Sequence, residues 1–277
     1  MKNSHVRDFS MHDVGKIARF RRLLNPRTGR MYIVPIDHGA VLGPIEGIVD
    51  VKDTIDKVVR GGADSLLINR GIMRYCMVEH LGRVGVILRI SSNNFLSPEF
   101  PFETVVASVE EALRLGADAV AFTVNVGEEG DVEGLRLFGA IADACAQYSM
   151  PLLGEFIPAG KKVDNPYDVR WVKIAARLGA ELGADFIKTN YTGSVESFRE
   201  VVKSCPVPIV IAGGPKTETL RDTLEMVKGA IEAGAIGVCI GRNTWQAKNP
   251  RAMARAISRI VHEEISVNEA LKELEAN

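Results

Sequence analysis

The stretch Leu182-Gly183-Ala184-Asp185-Phe186-Ile187-Lys188-Thr189-Asn190 decides the fold. Gly183 is free to take the left-handed conformation that ends a helix, and Ala184-Asp185 turns the chain into the short apolar strand that Phe186-Ile187 begins. Three other places repeat the pattern: Gly61-Gly62-Ala63-Asp64, Leu115-Gly116-Ala117-Asp118 and Ala233-Gly234-Ala235-Ile236. Their spacing suits two strand-helix units each time. The turns therefore precede strands 2, 4, 6 and 8 of a regular alternation, on the face that carries stability rather than catalysis.

Outward from these turns, apolar runs of strand length occupy 31–36, 65–68, 84–90, 119–124, 152–156, 186–187, 208–212 and 236–240. Strands this short and apolar throughout are buried on both faces, as in a parallel sheet. Helical periodicity fills 51–60, 73–81, 104–115, 134–148, 168–182, 195–204 and 219–233, and an eighth barrel helix falls at 251–264. Eight strands with helices between them predict a (β/α)8 TIM barrel with its core at about 31–262, in one domain spanning 1–277. A doubly wound open sheet is the alternative, but no nucleotide fingerprint follows the first strand. The segment 11–24 predicts an N-terminal helix capping the lower end of the barrel. An extra C-terminal helix follows at 266–275, started by a Ser266/Glu269 capping box, to pack on the barrel or on another subunit.

Composition narrows the functional classes. The chain has 277 residues, 46% hydrophobic and 25% charged, with a net charge of -1. Nothing in that balance favours nucleic acid or an anionic membrane as a partner. The arginines Arg19, Arg21, Arg22, Arg27 and Arg30 are expected to form a solvated face. Met1 to Phe20 is too charged for a signal peptide, and no apolar run approaches a membrane span. Cys76, Cys145, Cys205 and Cys239 form no CxxC pair, so zinc and thioredoxin-like chemistry are not expected. The expected location is the cytoplasm, with reduced thiols. His5, His12, His80 and His262 have no metal-ligand spacing and are expected on the surface or on helices.

In such a barrel the active site forms at the C-terminal ends of the strands. That rule delivers Asp37 and His38 from strand 1, Arg89 from strand 3, Glu155 from strand 5 and Lys188 from strand 6. Lysine is almost wholly protonated at neutral pH, so a nucleophilic Lys188 needs burial or neighbouring cations, for which Lys216 and Arg242 are candidates. An unprotonated amine forms a Schiff base with a ketone, and the protonated imine is the electron sink that lets the adjacent C–C bond break or form. The competing reading is a structural ion pair of Lys188 with Asp37 or Glu155. Asp37 and His38 are candidate proton shuttles, and Glu155 is either an acid/base or an ion-pair partner.

Two glycine turns follow the last strands, Ala212-Gly213-Gly214-Pro215-Lys216 and Ile240-Gly241-Arg242-Asn243. Glycine lets an anion approach backbone N–H groups, and the guanidinium of Arg242 suits phosphate oxygens. Gly213, Gly214, Gly241 and Arg242 are therefore the candidate phosphate binders, at the two loops where barrels often hold phosphate.

Pro35-Ile36-Asp37-His38-Gly39, Pro158 to Lys161, Gly183 through Lys188, Tyr191-Thr192-Gly193, Ala212 through Lys216, Gly241-Arg242-Asn243 and Trp245-Gln246 follow in this order. Over roughly Gly29 to Val261 the chain resembles the archaeal-type class I fructose-bisphosphate aldolases and the 2-amino-3,7-dideoxy-D-threo-hept-6-ulosonate synthases. Gly43-Pro44-Ile45-Glu46-Gly47 and Phe198-Arg199-Glu200-Val201-Val202 look more like the latter. The resemblance implies that Lys188 forms the Schiff base, that Asp37 is an acid/base, and that the last two turns hold phosphate. It implies a (β/α)8 barrel, a ketose phosphate and an aldehyde such as aspartate semialdehyde as substrates, and a homo-oligomer (pentamer or decamer). It implies no metal and no organic cofactor.

The family carries Tyr-Pro-Arg-Gly after strand 5, with the tyrosine as proton donor. Here the matching residues are Ile157-Pro158-Ala159-Gly160. Isoleucine transfers no proton, so Glu155, Asp37 or a water takes the role, or the reaction differs. The leading expectation is a Schiff-base aldolase or transaldolase of the heptulosonate-synthase type. Next comes fructose-1,6-bisphosphate aldolase. A related aldolase making an amino-hydroxybenzoate precursor from aspartate semialdehyde and dihydroxyacetone phosphate, a thiolase-like relative and a non-catalytic sugar-phosphate-binding protein follow.

Overall fold

A computed structural model describes residues 13–97 and 102–275. Eight parallel strands close into a barrel: β1 (Met31–Pro35), β2 (Ser65–Asn69), β3 (Gly85–Arg89), β4 (Ala119–Val126), β5 (Leu152–Pro158), β6 (Phe186–Asn190), β7 (Ile209–Ala212) and β8 (Gly237–Cys239). Each pairs with its neighbour in sequence, and β8 closes on β1 through Met31 opposite Gly237. The predicted (β/α)8 barrel is the observed fold.

Alternation along each strand sorts the core into two layers. Met31 and Ile33, Leu67, Ile87, Ala119 and Ala121, Leu153, Phe186, Val210 and Cys239 fill the barrel interior. The intervening residues, such as Val34, Leu66, Leu88, Phe122, Phe156 and Ile187, face the helices. The period of two also fixes the next inward position upward. Arg89 stands above Ile87, Thr123 above Ala121, Glu155 above Leu153 and Lys188 above Phe186. The apolar interior is thus topped by a polar layer at the C-terminal mouth.

The repeated Gly-Ala-Asp turns lie at the opposite end, before β2, β4 and β6, and the Ile236 version precedes β8. Each aspartate has the same task. Asp64, Asp118 and Asp185 accept the backbone N–H of Tyr32, Val86 and Leu152 on a neighbouring strand, at 2.7, 3.0 and 2.8 Å. Their other oxygens receive the N-terminal segment: Lys16 bonds Asp185 at 3.0 Å, Arg22 bonds Asp118, and Asn25 reaches Asp64 at 3.3 Å. The helix Val14–Arg22, capped by Asp13, closes this end with Phe20, and Leu23 and Leu24 follow it into the interior cluster. Ile236 replaces the fourth aspartate and joins that apolar plug.

Several sequence expectations shift. The arginine stretch is not a solvated face throughout. Arg22 pairs with Asp118, Arg19 donates to the Ser149 carbonyl at 3.2 Å and Arg30 to that of Val261 at 2.9 Å. His80 and His262 are not on the surface. His262 does lie on the last barrel helix, Pro250–Glu263, but its ring is buried between Asp64, at 2.8 Å, and Thr28. His80 is buried in a turn. His5 and His12 lie outside the described residues. The expected helix at 104–115 shortens to Val109–Arg114, because Thr104–Val105 pairs with Ser91–Ser92 in a small antiparallel ribbon. The helix expected at 73–81 forms at Arg70–Cys76. The C-terminal helix Val267–Glu275 carries the Ser266/Glu269 cap and seats Ala270 on the barrel's own helices.

Candidate active site

Strand register, rather than sequence distance, assembles the mouth. Thr123 is opposite Glu155, and Glu155 is opposite Lys188. All three point inward, so the Lys188 ammonium meets the Glu155 carboxylate at 2.9 Å. Thr123 donates its hydroxyl to the other Glu155 oxygen at 2.9 Å. From β3, one terminal nitrogen of Arg89 donates to Asp37 at 2.7 Å and to Glu155 at 3.3 Å. Its second terminal nitrogen pairs with Glu103, which also accepts the Ser91 hydroxyl. His38 Nδ1 lies 3.2 Å from the free oxygen of Asp37, its ring held edge-on to Trp245. Trp245 in turn donates to the Pro35 carbonyl at 3.0 Å.

Lys188, Asp37, Glu155 and His38 are therefore in one place, as their strand-end positions predict. The Lys188–Glu155 contact is the ion pair that the sequence left as the competing reading, and the expected lysine neighbour is not there. Lys216 points away and donates to the Gln246 carbonyl at 3.2 Å, so no lysine neighbour depresses the amine. Burial works against the Lys188 ammonium, but the Cys239 sulfur and the Glu155 and Asp37 carboxylates outweigh it and hold its pKa above the ordinary lysine value. The two carboxylates are the effective cause, because burial pushes the Cys239 thiol up to about 12 and leaves it neutral. Burial alone would raise both carboxyls, yet Arg89, His38 and Lys188 hold Asp37 well below the usual range. Glu155 is likewise lowered, by Lys188 and Arg89 against its burial. Glu103 goes the other way, raised by burial that Arg89 and Ser91 only partly offset. The resting amine is thus a protonated one, with its proton already shared with Glu155.

A pocket of about 370 Å³ opens above this layer, lined by Lys188, Glu155, His38, Ile157, Tyr167, Gly214, Gly241 and Arg242 among others. Ile157 faces the pocket, so the place of the family's tyrosine holds an apolar side chain. The Pro166 carbonyl accepts from Asn190 at 3.0 Å, which ties the loop after β5 to the end of β6. Tyr167 sits on that loop with its hydroxyl over the Gly214 turn. A β-carbon added to Gly214 would lie 3.6 Å from it. No sequence pattern marks Tyr167.

The four phosphate candidates also line this pocket, with one correction. The Gly213 N–H is not free, since it donates to the Cys239 carbonyl at 3.1 Å. At Gly241 glycine is needed for packing as well. A β-carbon on Gly241 would stand 2.8 Å from the Pro35 carbonyl oxygen. Gly214 takes a φ of +63°, which leaves its amide turned out of the sheet ladder. Among the described residues, the amides of Gly214, Gly241 and Arg242 donate to no protein acceptor. Arg242 clamps the two turns together by donating to the Gly214 carbonyl at 2.9 Å, while its buried Nε has no protein partner. An anion oxygen would satisfy these donors. Among the described residues no group of three or more His, Cys, Asp or Glu side chains is placed to hold a metal ion.

A barrel whose mouth presents a buried lysine beside paired carboxylates defines a class of enzyme, the aldolases that work through a Schiff base. The family model for DeoC/LacD family aldolases matches residues 31–247, and the chain belongs to that family. The chain is 36% identical over 244 residues to a 2-amino-4,5-dihydroxy-6-oxo-7-(phosphonooxy)heptanoate synthase of Streptomyces griseus, covering 88% of this chain and 89% of the relative. It is 37% identical over 261 residues to a 2-amino-3,7-dideoxy-D-threo-hept-6-ulosonate synthase of Halobacterium salinarum, covering 94% and 97%. An archaeal fructose-1,6-bisphosphate aldolase, solved with its catalytic lysine bound to a carbinolamine intermediate, superimposes with a TM-score of 0.81. It is 33% identical, over 88% of this chain and 98% of that one. The protein is a class I aldolase.

Proposed function

We propose that this aldolase forms its Schiff base at Lys188 and acts on a phosphorylated ketose, with a heptulosonate-synthase type of reaction favoured. One observation carries the reading: the Lys188 amine lies 2.9 Å from Glu155 at the floor of the same pocket whose wall holds the unpaired donors of Arg242 and its two turns. The lysine proton passes to Glu155, and the freed amine attacks the ketone carbon. The carbinolamine loses water, taking back a proton at its hydroxyl, and an iminium remains. Electrons of the neighbouring C–C bond flow into that iminium in cleavage, or leave the enamine for an aldehyde carbon in condensation. Asp37, backed by His38, moves the proton on the substrate hydroxyl. Glu155 takes over what a tyrosine at position 157 would have done.

The Streptomyces griseus and Halobacterium salinarum relatives are synthases of seven-carbon amino acids, and the segment Gly43 to Gly47 resembles the heptulosonate synthases, which supports condensation with an aldehyde such as aspartate semialdehyde. Fructose-1,6-bisphosphate cleavage is the second reading, supported by the superposition on the archaeal enzyme. We place the enzyme in the cytoplasm, which its four free cysteines support. No described helix is long and apolar enough to cross a membrane. A homo-oligomer, which the family resemblance implies, is part of this reading, with Tyr75 and Val78 among the exposed apolar side chains an interface could cover.

The test is borohydride reduction with dihydroxyacetone phosphate or fructose 1,6-bisphosphate, followed by peptide mass spectrometry. A covalent adduct at Lys188 is expected, absent from Lys188→Ala. Catalytic turnover that survives Lys188→Ala defeats the imine reading. Comparing fructose bisphosphate cleavage with condensation onto aspartate semialdehyde separates the two reactions.

A further inference from the structure

Among the described residues, Arg89 is a cation of the mouth that does not line the pocket and lies buried beneath it. Three carboxylates from three segments converge on it: Asp37 after β1, Glu103 beside the small ribbon, and Glu155 on β5. Its Nη1 is shared by Asp37 and Glu155, so one nitrogen ties Asp37 to the acid that meets Lys188. Its Nε donates to the Ser91 carbonyl at 3.2 Å, which locks the plane of the guanidinium. Every donor of the fork that reaches a carboxylate is thereby committed, and the side chain cannot swing to a ligand.

Charge counting shows why such a residue is needed. Without Arg89, the carboxyls of Asp37, Glu103 and Glu155 would share a buried site in which, among the described residues, the Lys188 ammonium is the remaining full cation, with His38 half-buried at the edge. Like charges in a low-dielectric site cannot all remain ionised, so at least one acid would hold a proton at neutral pH. The acid that must accept the Lys188 proton would then already carry one. Glu103 answers the opposite problem. It gives the guanidinium a counter-charge away from the reacting groups, with Ser91 holding its second oxygen.

We propose that Arg89 is the positioning residue of this site: its buried guanidinium keeps Asp37 and Glu155 ionised and holds Glu155 on Lys188, with Glu103 as its own counter-charge. The proposal rests on Lys188 being the imine-forming amine and goes beyond it. Charge at position 89, rather than shape alone, sets the pH at which Lys188 can be discharged. Arginine suits the place because a planar fork can serve two carboxylates from one nitrogen and a third from the other.

The experiment is the pH dependence of adduct formation at Lys188, using dihydroxyacetone phosphate with cyanoborohydride and mass spectrometry as the readout. In Arg89→Gln the acid limb of the profile is expected to move up by about one pH unit or more. Arg89→Lys, which keeps the charge but loses the fork, is expected to move it less than the glutamine variant. Glu103→Gln leaves the guanidinium to Asp37 and Glu155, and no upward shift is expected. Should Arg89→Gln fail to fold, the double variant Arg89→Gln/Glu103→Gln removes one charge of each sign and is expected to show the same upward shift. An acid limb that stays in place in the folded variants, or an equal loss in the lysine and glutamine variants with no shift, overturns the proposal. Wild-type enzyme that forms no adduct at Lys188 overturns the Schiff-base reading itself. An adduct with an unmoved limb overturns only the role of Arg89.

Discussion

Glu155 shows how one side chain can be both a structural partner and a chemical one. Its Oε1 takes the Lys188 ammonium, while Thr123 and Arg89 occupy Oε2. Replacing it by glutamine keeps the shape and removes the base. We expect Glu155→Gln to lower turnover by about 10²–10⁴-fold, the usual worth of general acid–base catalysis, with the fold retained by circular dichroism. The same pair governs stability against pH. The folded Glu155 carboxyl titrates below its ordinary value of 4.5, so its stabilising contribution is complete above that pH and is lost as pH falls through the lower folded value. Lys188 titrates above its ordinary value, so its contribution is complete below that value and is lost only in strong base. Thermal melts should therefore show wild type more stable than Glu155→Gln at neutral pH, with the difference closing below about pH 4.5. A gap that persists unchanged in acid would mean that the pair does not set it.

At the scale of elements, the two ends of the barrel divide the work. The helix Val14–Arg22 is held at the bottom by an aspartate ring and by Phe20, which meets Phe186 edge-on at 5.2 Å. Phe20→Ala should cost about 3–5 kcal/mol, since it empties a fully packed site, and the loss is read by chemical denaturation. Activity per folded molecule should be unchanged, because Phe20 lies below the apolar interior and Lys188 above it. The loop after β5 belongs to the other end. Tyr167→Phe removes the hydroxyl over the Gly214 turn. We expect it to raise KM for a ketose phosphate by about three- to tenfold, the worth of one hydrogen bond, with kcat little changed. A fall in kcat alone would place that hydroxyl in proton transfer instead. Element boundaries were legible wherever pairing was local. Asp50, Asp168, Ser194, Thr219 and Asn249 each accept a first-turn amide, and the helices they cap start within one residue of the periodic segments at 51, 168, 195, 219 and 251. The ribbon at Thr104–Val105 was not legible, because Glu103 next to it is tied to Arg89 and the pairing partner is Ser91–Ser92.

Over the whole molecule, the parallel register is what turns eight separate strand ends into one site. Strands β4 and β5 run on to Val126 and Pro158 because their ladder continues through Asn125 opposite Ile157. That extension carries Ile157 to the pocket wall. The proposed homo-oligomer belongs to this scale, and Tyr75 and Val78 are apolar side chains left at the surface. Light scattering should then give a mass several times that of one chain, and Tyr75→Glu should lower it. A monomer at all concentrations would refute the oligomer.

The sequence alone determined the alternation of strands and helices, the four turns that set its phase, and the identities of Lys188, Asp37, Glu155 and His38 as strand-end residues. It could do so because burial pattern and turn chemistry are local properties of the chain. Only the tertiary structure decided which charges share the barrel mouth. That depends on register between strands far apart in sequence, and on a buried environment in which a carboxylate at 2.9 Å outweighs desolvation. The sequence offered both cations and acids as neighbours of Lys188; the closed barrel chose the acids and tied them to Arg89 and Glu103, because electrostatics follows distance in space and not distance along the chain.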